Sequence, residues 1–201
     1  MQLLNFFKSI FSKLVDRIIA DSELNIVRCV IHPFHHHQKK GVVFKVFTPP
    51  RNSKDVSLIR LNYSSEDIAK RDGIDLVKGK LIPPIPKFAG LVIINNKMVN
   101  EVNSINVGIT ASIKGTPIKN NEYVPEGINI YRCDKGKPYH ADLVYSEPVP
   151  DGEPSTKHRE YCDNLLKIVS EKEIFFEDKC PEEKRWCGKI TGTIENKFTA
   201  A

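Results

Sequence analysis

The side chains best equipped for chemistry gather in two places. Four imidazoles fall between residues 32 and 37, in the run Cys29-Val30-Ile31-His32-Pro33-Phe34-His35-His36-His37-Gln38-Lys39-Lys40. Imidazole serves as a metal ligand or a general base, and His32 and His35 converge if the chain turns at Pro33. The spacing matches no metalloenzyme signature, and a metal would need further ligands, for which His140, Asp142, His158 and Cys162 are the candidates. The competing reading is a solvated, partly cationic hairpin loop made by His35 to His37 with Lys39 and Lys40, because neighbouring turn residues point in different directions. The second place is His140-Ala141-Asp142, which follows Gly136-Lys137-Pro138-Tyr139 into a run of strand composition. Positions 140 and 142 of a strand share one face, so Asp142 can fix the tautomer of His140 and leave it a working base. Against this stands a plain edge pair that satisfies loop backbone.

Cysteine chemistry is less well marked. His158 and Cys162 are four apart on a helical pattern, and Cys29, Cys133 or Cys162 could serve as a thiolate beside His32, His140 or His158, yet any i, i+4 pair meets that description. Cys180 and Cys187 lie outside ordinary zinc-finger spacing. Five cysteines at irregular intervals, with no Cys-x-x-Cys, do not make a disulfide framework, so most of the thiols are expected to be small core residues of a protein in a reducing, cytoplasmic compartment. No P-loop, Gly-x-Gly-x-x-Gly, Gly-x-Ser-x-Gly or His-Glu-x-x-His occurs, and nothing names a cofactor.

Phe47-Thr48-Pro49-Pro50, Asp55-Val56-Ser57-Leu58-Ile59-Arg60 and His140-Ala141-Asp142-Leu143 together resemble a Phe-x-Pro-Pro, Ser-x-x-Arg and His-Ala layout of small uncharacterised bacterial proteins. The resemblance implies no activity, but it singles out Arg60 and His140. An arginine in a strand and a histidine at a strand entrance can face one pocket and hold an anionic group. This frames a hydrolase acting on a phosphate- or nucleotide-bearing substrate, with His140 as base, Asp142 as its orienter, Arg60 as anion clamp and His32 as a second acid/base or a metal ligand. The scheme requires those four side chains to converge.

The elements that must carry these groups read as an α+β chain. Leu24 to His32, Val42 to Phe47, Val56 to Leu61, Phe88 to Ile94, Val107 to Ile113, Ile128 to Cys133 and Ala141 to Ser146 have strand composition. Their spacing favours antiparallel pairing over crossovers through helices. Ser64-Ser65-Glu66-Asp67 opens a helix that Gly73 is expected to close, Met98 to Ser104 is strand or helix, and Ser155 caps a longer helix to about Val169. A last strand is expected over Lys189 to Glu195. Proline clusters at 48–50, 83–86 and 147–154 mark loops or edges.

With 201 residues, 40% of them hydrophobic, the chain can bury one real core, and no uncharged apolar run reaches membrane-spanning length. Its net charge of +5 is uneven: residues 1–80 hold 14 Lys and Arg against 8 Asp and Glu. Residues 1–20 read as an amphipathic helix appended to a single domain over 21–201. At a helical step Leu3, Leu4, Phe6, Phe7, Ile10, Phe11, Leu14, Val15, Ile18 and Ile19 share one broad face, opposite Asn5, Ser9, Ser12 and Asp16. Lys8 and Lys13 interrupt the run, so it does not read as a secretory signal. Such a face must be covered by the domain's own sheet, by a protein partner, by a second copy of the chain or by a membrane surface. The leading expectation is therefore an accessory or partner-binding protein or homo-oligomer acting through residues 3–19. The hydrolase is the alternative, and weak nucleic-acid binding through the basic first part is a third reading.

Overall fold

Strand β1 (Ile26–His32) has five of its seven residues buried, which is the pattern of a strand covered on both faces. It sits near the middle of a six-stranded antiparallel sheet in the order β10–β5–β1–β4–β9–β6, with β4 at Asp55–Arg60, β5 at Lys87–Ile94, β6 at Ala111–Gly115, β9 at His140–Tyr145 and β10 at Phe175–Glu177. The computed structural model describes residues 17–81, 83–105, 108–126, 128, 136–151, 153–188 and 190. Two short hairpins flank the sheet, β2 (His36–His37) with β3 (Gly41–Val42), and β7 (Ile118–Lys119) with β8 (Glu122–Tyr123). Three α-helices complete the described architecture: α1 (Glu66–Val77), α2 (Asn96–Ile105) and α3 (Thr156–Glu171).

Register assigns the layers. Val27 pairs with Ile59 and Ile59 with His140, so these three side chains rise from one face, together with Cys29, Ser57 and Asp142. Helix α1 lies on this face over β1 and β5, its Ala69 carbonyl 3.6 Å from the Cys29 thiol. The opposite face carries Leu143 and Tyr145, whose hydroxyl donates to the Phe47 carbonyl at 2.8 Å and whose ring meets Tyr161 edge-on. That face is therefore covered by α3, α2 and the 3-10 turn Phe44–Phe47.

Serine caps start two of the helices where the sequence places them: Ser65 accepts from Ile68 N–H, and Ser155 accepts from His158 N–H. Met98 to Ser104 resolves as helix, its first turn fastened by Met98 N–H on the Asn95 carboxamide oxygen at 3.1 Å. Four expectations change. Helix α1 runs through Gly73 to Val77, because the absent side chain at 73 is where the Phe88 ring packs against the helix. Val42 to Phe47 is a two-residue strand and a 3-10 turn, since Val46 and Phe47 turn into the core beneath α3. Strand β6 begins at Ala111, later than the apolar run suggests. Strand β10 was not expected, and its Phe176 carbonyl approaches the β-face of Gly90 so closely that only glycine, here at φ 152°, fits.

Two further readings need correction or placement. Cys180 and Cys187 form a disulfide, so these two are not core thiols, and the premise of an entirely reduced chain no longer holds. Cys29 and Cys162 are buried and free, as expected of core thiols. The amphipathic helix expected over 1–20 lies outside the described residues up to position 16, as do the strand over 189–195 except Ile190 and most of 128–133. Residues 17–20 are described and are not helical: Ile19 enters the core, and the Arg17 carbonyl accepts from Gly115 N–H on the free edge of β6 at 3.1 Å. A Cβ at Gly115 would press on that Arg17 backbone. No helix among the described residues is long and apolar enough to cross a membrane.

Candidate active site

The β1–β4 ladder stops after Val27 and Ile59, and the two strands then separate. Arg28 fills the split, its Nε donating to the Val46 carbonyl at 3.2 Å and its NH1 to the Ser57 carbonyl at 2.9 Å. Above this floor α1 stands on one side, presenting Asp72 and Leu76, and the β7–β8 hairpin stands on the other, presenting Ile118, Asn120 and Asn121. The hairpin can turn so tightly because Asn120 and Asn121 both take left-handed conformations, at φ 54° and 65°. Between them opens a cleft of about 550 Å³, a size suited to a small molecule.

His140 lines this cleft, and its surroundings fix its tautomer. Thr116 Oγ1 lies 2.6 Å from Asp142 Oδ2 and 3.1 Å from His140 Nδ1, and the Thr116 carbonyl lies 2.9 Å from the same Nδ1. Threonine has one hydroxyl proton, and the short contact to a carboxylate takes it. His140 Nδ1 must then carry the ring proton and donate it to Thr116. This leaves the Nε2 lone pair, which has no hydrogen-bond partner among the described residues. Burial lowers the pKa of His140, with the Asp142 carboxylate and the Thr116 carbonyl opposing, so the ring is neutral near pH 7. The His140 and Asp142 side chains are 3.8 Å apart, outside direct hydrogen-bond reach, and Thr116 is the bridge between them. Asp142 is 2% exposed, and its other oxygen, Oδ1, has no partner among the described residues. Tyr123 of β8 stacks near His140 at 6.0 Å, and partial burial together with Asp142 lifts its phenol to about 12.

Other charges in the cleft are balanced locally. Asp72 pairs with Lys137 at 3.0 Å and accepts from Tyr139 Oη at 3.2 Å; burial, then Asp72, pushes that phenol upward.

Of the four residues expected to converge, His140 and Asp142 do lie together. Arg60 and His32 are elsewhere. Arg60 follows Ile59, the register partner of His140, and so points to the opposite face, where both its Nε and NH2 bind the Glu23 carboxylate at 2.7 and 2.6 Å. It is 1% exposed and packs over Tyr63, a structural ion pair in the core. His32 stands five residues along β1 from the His140 row, about 16 Å at the usual strand rise, with Nδ1 3.0 Å from the His36 carbonyl. The histidine run closes the β2–β3 hairpin, with Lys39, Lys40 and His37 exposed and His35 turned inward, where Nδ1 accepts from Ile31 N–H.

Of the cysteine candidates, Cys133 lies outside the described residues, and the geometry supports neither of the other two. Burial raises Cys29 to about 12 and raises Cys162 as well, so neither is a thiolate. His158 spends both ring nitrogens, on Ser155 Oγ at 2.8 Å and the Glu147 carbonyl at 3.1 Å. His158 and Cys162 belong to α3 on the far face of the sheet, so they cannot join His140 around a metal. Among the described residues the group with ligand atoms close enough to share an ion is Cys180, Glu183 and Cys187, and two of these are spent in the disulfide.

The cleft residue that sequence reasoning missed is Arg28. Its signal was available: an arginine inside the otherwise apolar run Ile26 to Ile31 has to go somewhere. Comparison with protein-family models, curated proteins and solved structures finds no match.

Proposed function

We propose that the chain is a hydrolase whose cleft takes a small phosphate- or nucleotide-bearing molecule. The observation that supports it is the His140–Thr116–Asp142 arrangement, which leaves a neutral imidazole with Nε2 as its free acceptor in a cleft of small-molecule size. In this reading Nε2 takes a proton from water as the water oxygen bonds to phosphorus. The P–O bond to the leaving group then breaks, and the imidazolium returns the proton to the departing alkoxide. Thr116 and Asp142 hold the ring in the competent tautomer and stabilise its transient charge.

The test is turnover of a panel of aryl phosphates and nucleotides, with and without added divalent cations, by the wild type and His140→Asn. Loss of about 10²–10⁴-fold in kcat/KM in the variant is expected for removal of a general base. A panel left untouched by the wild type, or turned over equally by the variant, contradicts the reading.

A second reading, a protein that docks a partner or a second copy through residues 3–19, is favoured by one feature. Ile18, at the end of that apolar face, is 78% exposed while Ile19 is buried. Sedimentation of the full chain against a chain lacking residues 1–16 tests it: equal monomeric behaviour of both, with no partner recovered, dismisses it.

A further inference from the structure

Among the described residues, the buried cations Arg60 and Lys70 and the half-buried Arg28 are not treated alike. Arg60 binds the Glu23 carboxylate at 2.6 Å, and Lys70 binds Asp178 at 2.8 Å. Arg28 hydrogen-bonds only to two neutral backbone carbonyls, and among the described residues no carboxylate forms an ion pair with it, the Asp142 charge reaching it only through space. A charge drawn out of water onto neutral acceptors costs free energy that a counter-ion recovers. Arg28 also lines the cleft, whereas Arg60 and Lys70 do not. A guanidinium has five N–H donors, and two are committed here, so a fork remains for an incoming group.

The geometry points to Arg28 as the anchor for the anionic group of the ligand, a phosphoryl oxyanion held at the split between β1 and β4, in the cleft that His140 also lines. This rests on the cleft being the site proposed above, and it names the group the cleft recognises. Lys137, the other cation of the cleft, is taken up by Asp72, which leaves the arginine as the discriminating charge. Leu76 and Ile118 face each other across the opening and offer apolar walls to the rest of the molecule. The ligand class is therefore a phosphate monoester with a compact apolar or aromatic body, and free phosphate shares its recognition chemistry.

The experiment measures binding of inorganic phosphate, phenyl phosphate and benzyl alcohol to the full chain by calorimetry, for the wild type, Arg28→Gln, Arg28→Lys and His140→Asn. Phenyl phosphate is expected to bind more tightly than phosphate, and benzyl alcohol not to bind. Arg28→Gln should weaken both phosphates by about 10–100-fold, the usual worth of charged hydrogen bonds. Arg28→Lys should recover part of that loss, because it keeps charge and loses the fork. Equal affinity for phosphate and phenyl phosphate sinks the ester class while keeping the anion anchor. Should Arg28→Gln not fold, protection of Arg28 from phenylglyoxal by phosphate in the wild type, read by mass spectrometry, decides the point, and absence of protection overturns the proposal. Phosphate binding unchanged in Arg28→Gln overturns it too. His140→Asn separates the two claims: binding kept without turnover in either protein refutes the hydrolase alone, and turnover without phosphate binding refutes the anchor alone.

Discussion

Replacing Lys70 by methionine strips the most enclosed cation from the fold. Its ammonium, fully buried, donates to Asp178 Oδ1 at 2.8 Å, to the Cys180 carbonyl at 2.6 Å and to the Arg185 carbonyl at 3.1 Å. Lys70→Met leaves the Asp178 carboxylate, 3% exposed, with only the Cys180 N–H at 3.2 Å to answer it among the described residues. Breaking one side of a buried pair typically costs about 3–5 kcal/mol, because the surviving charge stays in place without its partner. For a chain of this length that is a fall in Tm of about 6–20 °C. The double variant Lys70→Met/Asp178→Leu removes both charges and should regain most of the loss, giving a coupling of about 2 kcal/mol or more. Urea unfolding followed by tryptophan fluorescence reads the local effect, since the single tryptophan, Trp186, sits in the clamped segment with its backbone N–H donating to Asp67 Oδ1 at 2.7 Å and its ring against Phe88. Circular dichroism reads the global one. A single variant within 1 kcal/mol of wild type, or a double variant as unstable as the sum of the singles, would refute the reasoning.

Other outcomes follow from the same packing and electrostatics. Burial, then the charge on Arg28, lowers His35 to about 3, and its Nδ1 accepts from Ile31 N–H, so protonation opposes the fold. The unfolded chain then binds the proton more readily, and stability should decline as pH falls from about 6.5 towards 3. His35→Asn, which does not titrate, should flatten that slope in thermal melts; an unchanged slope counts against it. Gly90→Ala, placing a methyl against the Phe176 carbonyl, should unpair β10 and cost about 1–3 kcal/mol, visible as faster amide exchange over 175–177. Reducing the Cys180–Cys187 disulfide, which closes a loop with a sequence separation of 7, should lower stability by about 2–3 kcal/mol on the loop-entropy view. Stability unaffected by reductant would mean the segment is held by Lys70 and Asp67 alone.

Much of the frame is written in local residue choice. The two serine caps, the apolar run of β1 and the one-face relation of His140 and Asp142 follow from chain geometry that a sequence displays. What failed did so for nonlocal reasons. Gly73 looks like a stop until Phe88, fifteen residues on, is known to pack there. Val42 to Phe47 has the composition of a strand, but the core needs Val46 and Phe47 turned under α3. Arg60 reads as an anion clamp until Glu23 is found opposite it, while Arg28, with an equally plain sequence signal, has no such partner among the described residues. Register puts Arg28 and Arg60 on the same side of the sheet, opposite His140, and the separation of β1 from β4 beyond Val27 lets Arg28 alone reach the cleft, a break in pairing that composition does not specify.

The state of the His140 ring is the most direct check. Long-range ¹H–¹⁵N correlation on the histidines, followed over a pH titration and assigned with His140→Asn, reports both tautomer and pKa. The account predicts a neutral ring protonated on Nδ1, with a pKa below 6.5. A ring protonated on Nε2, or one still charged at pH 7, would remove the free acceptor from the cleft and with it the proposed base.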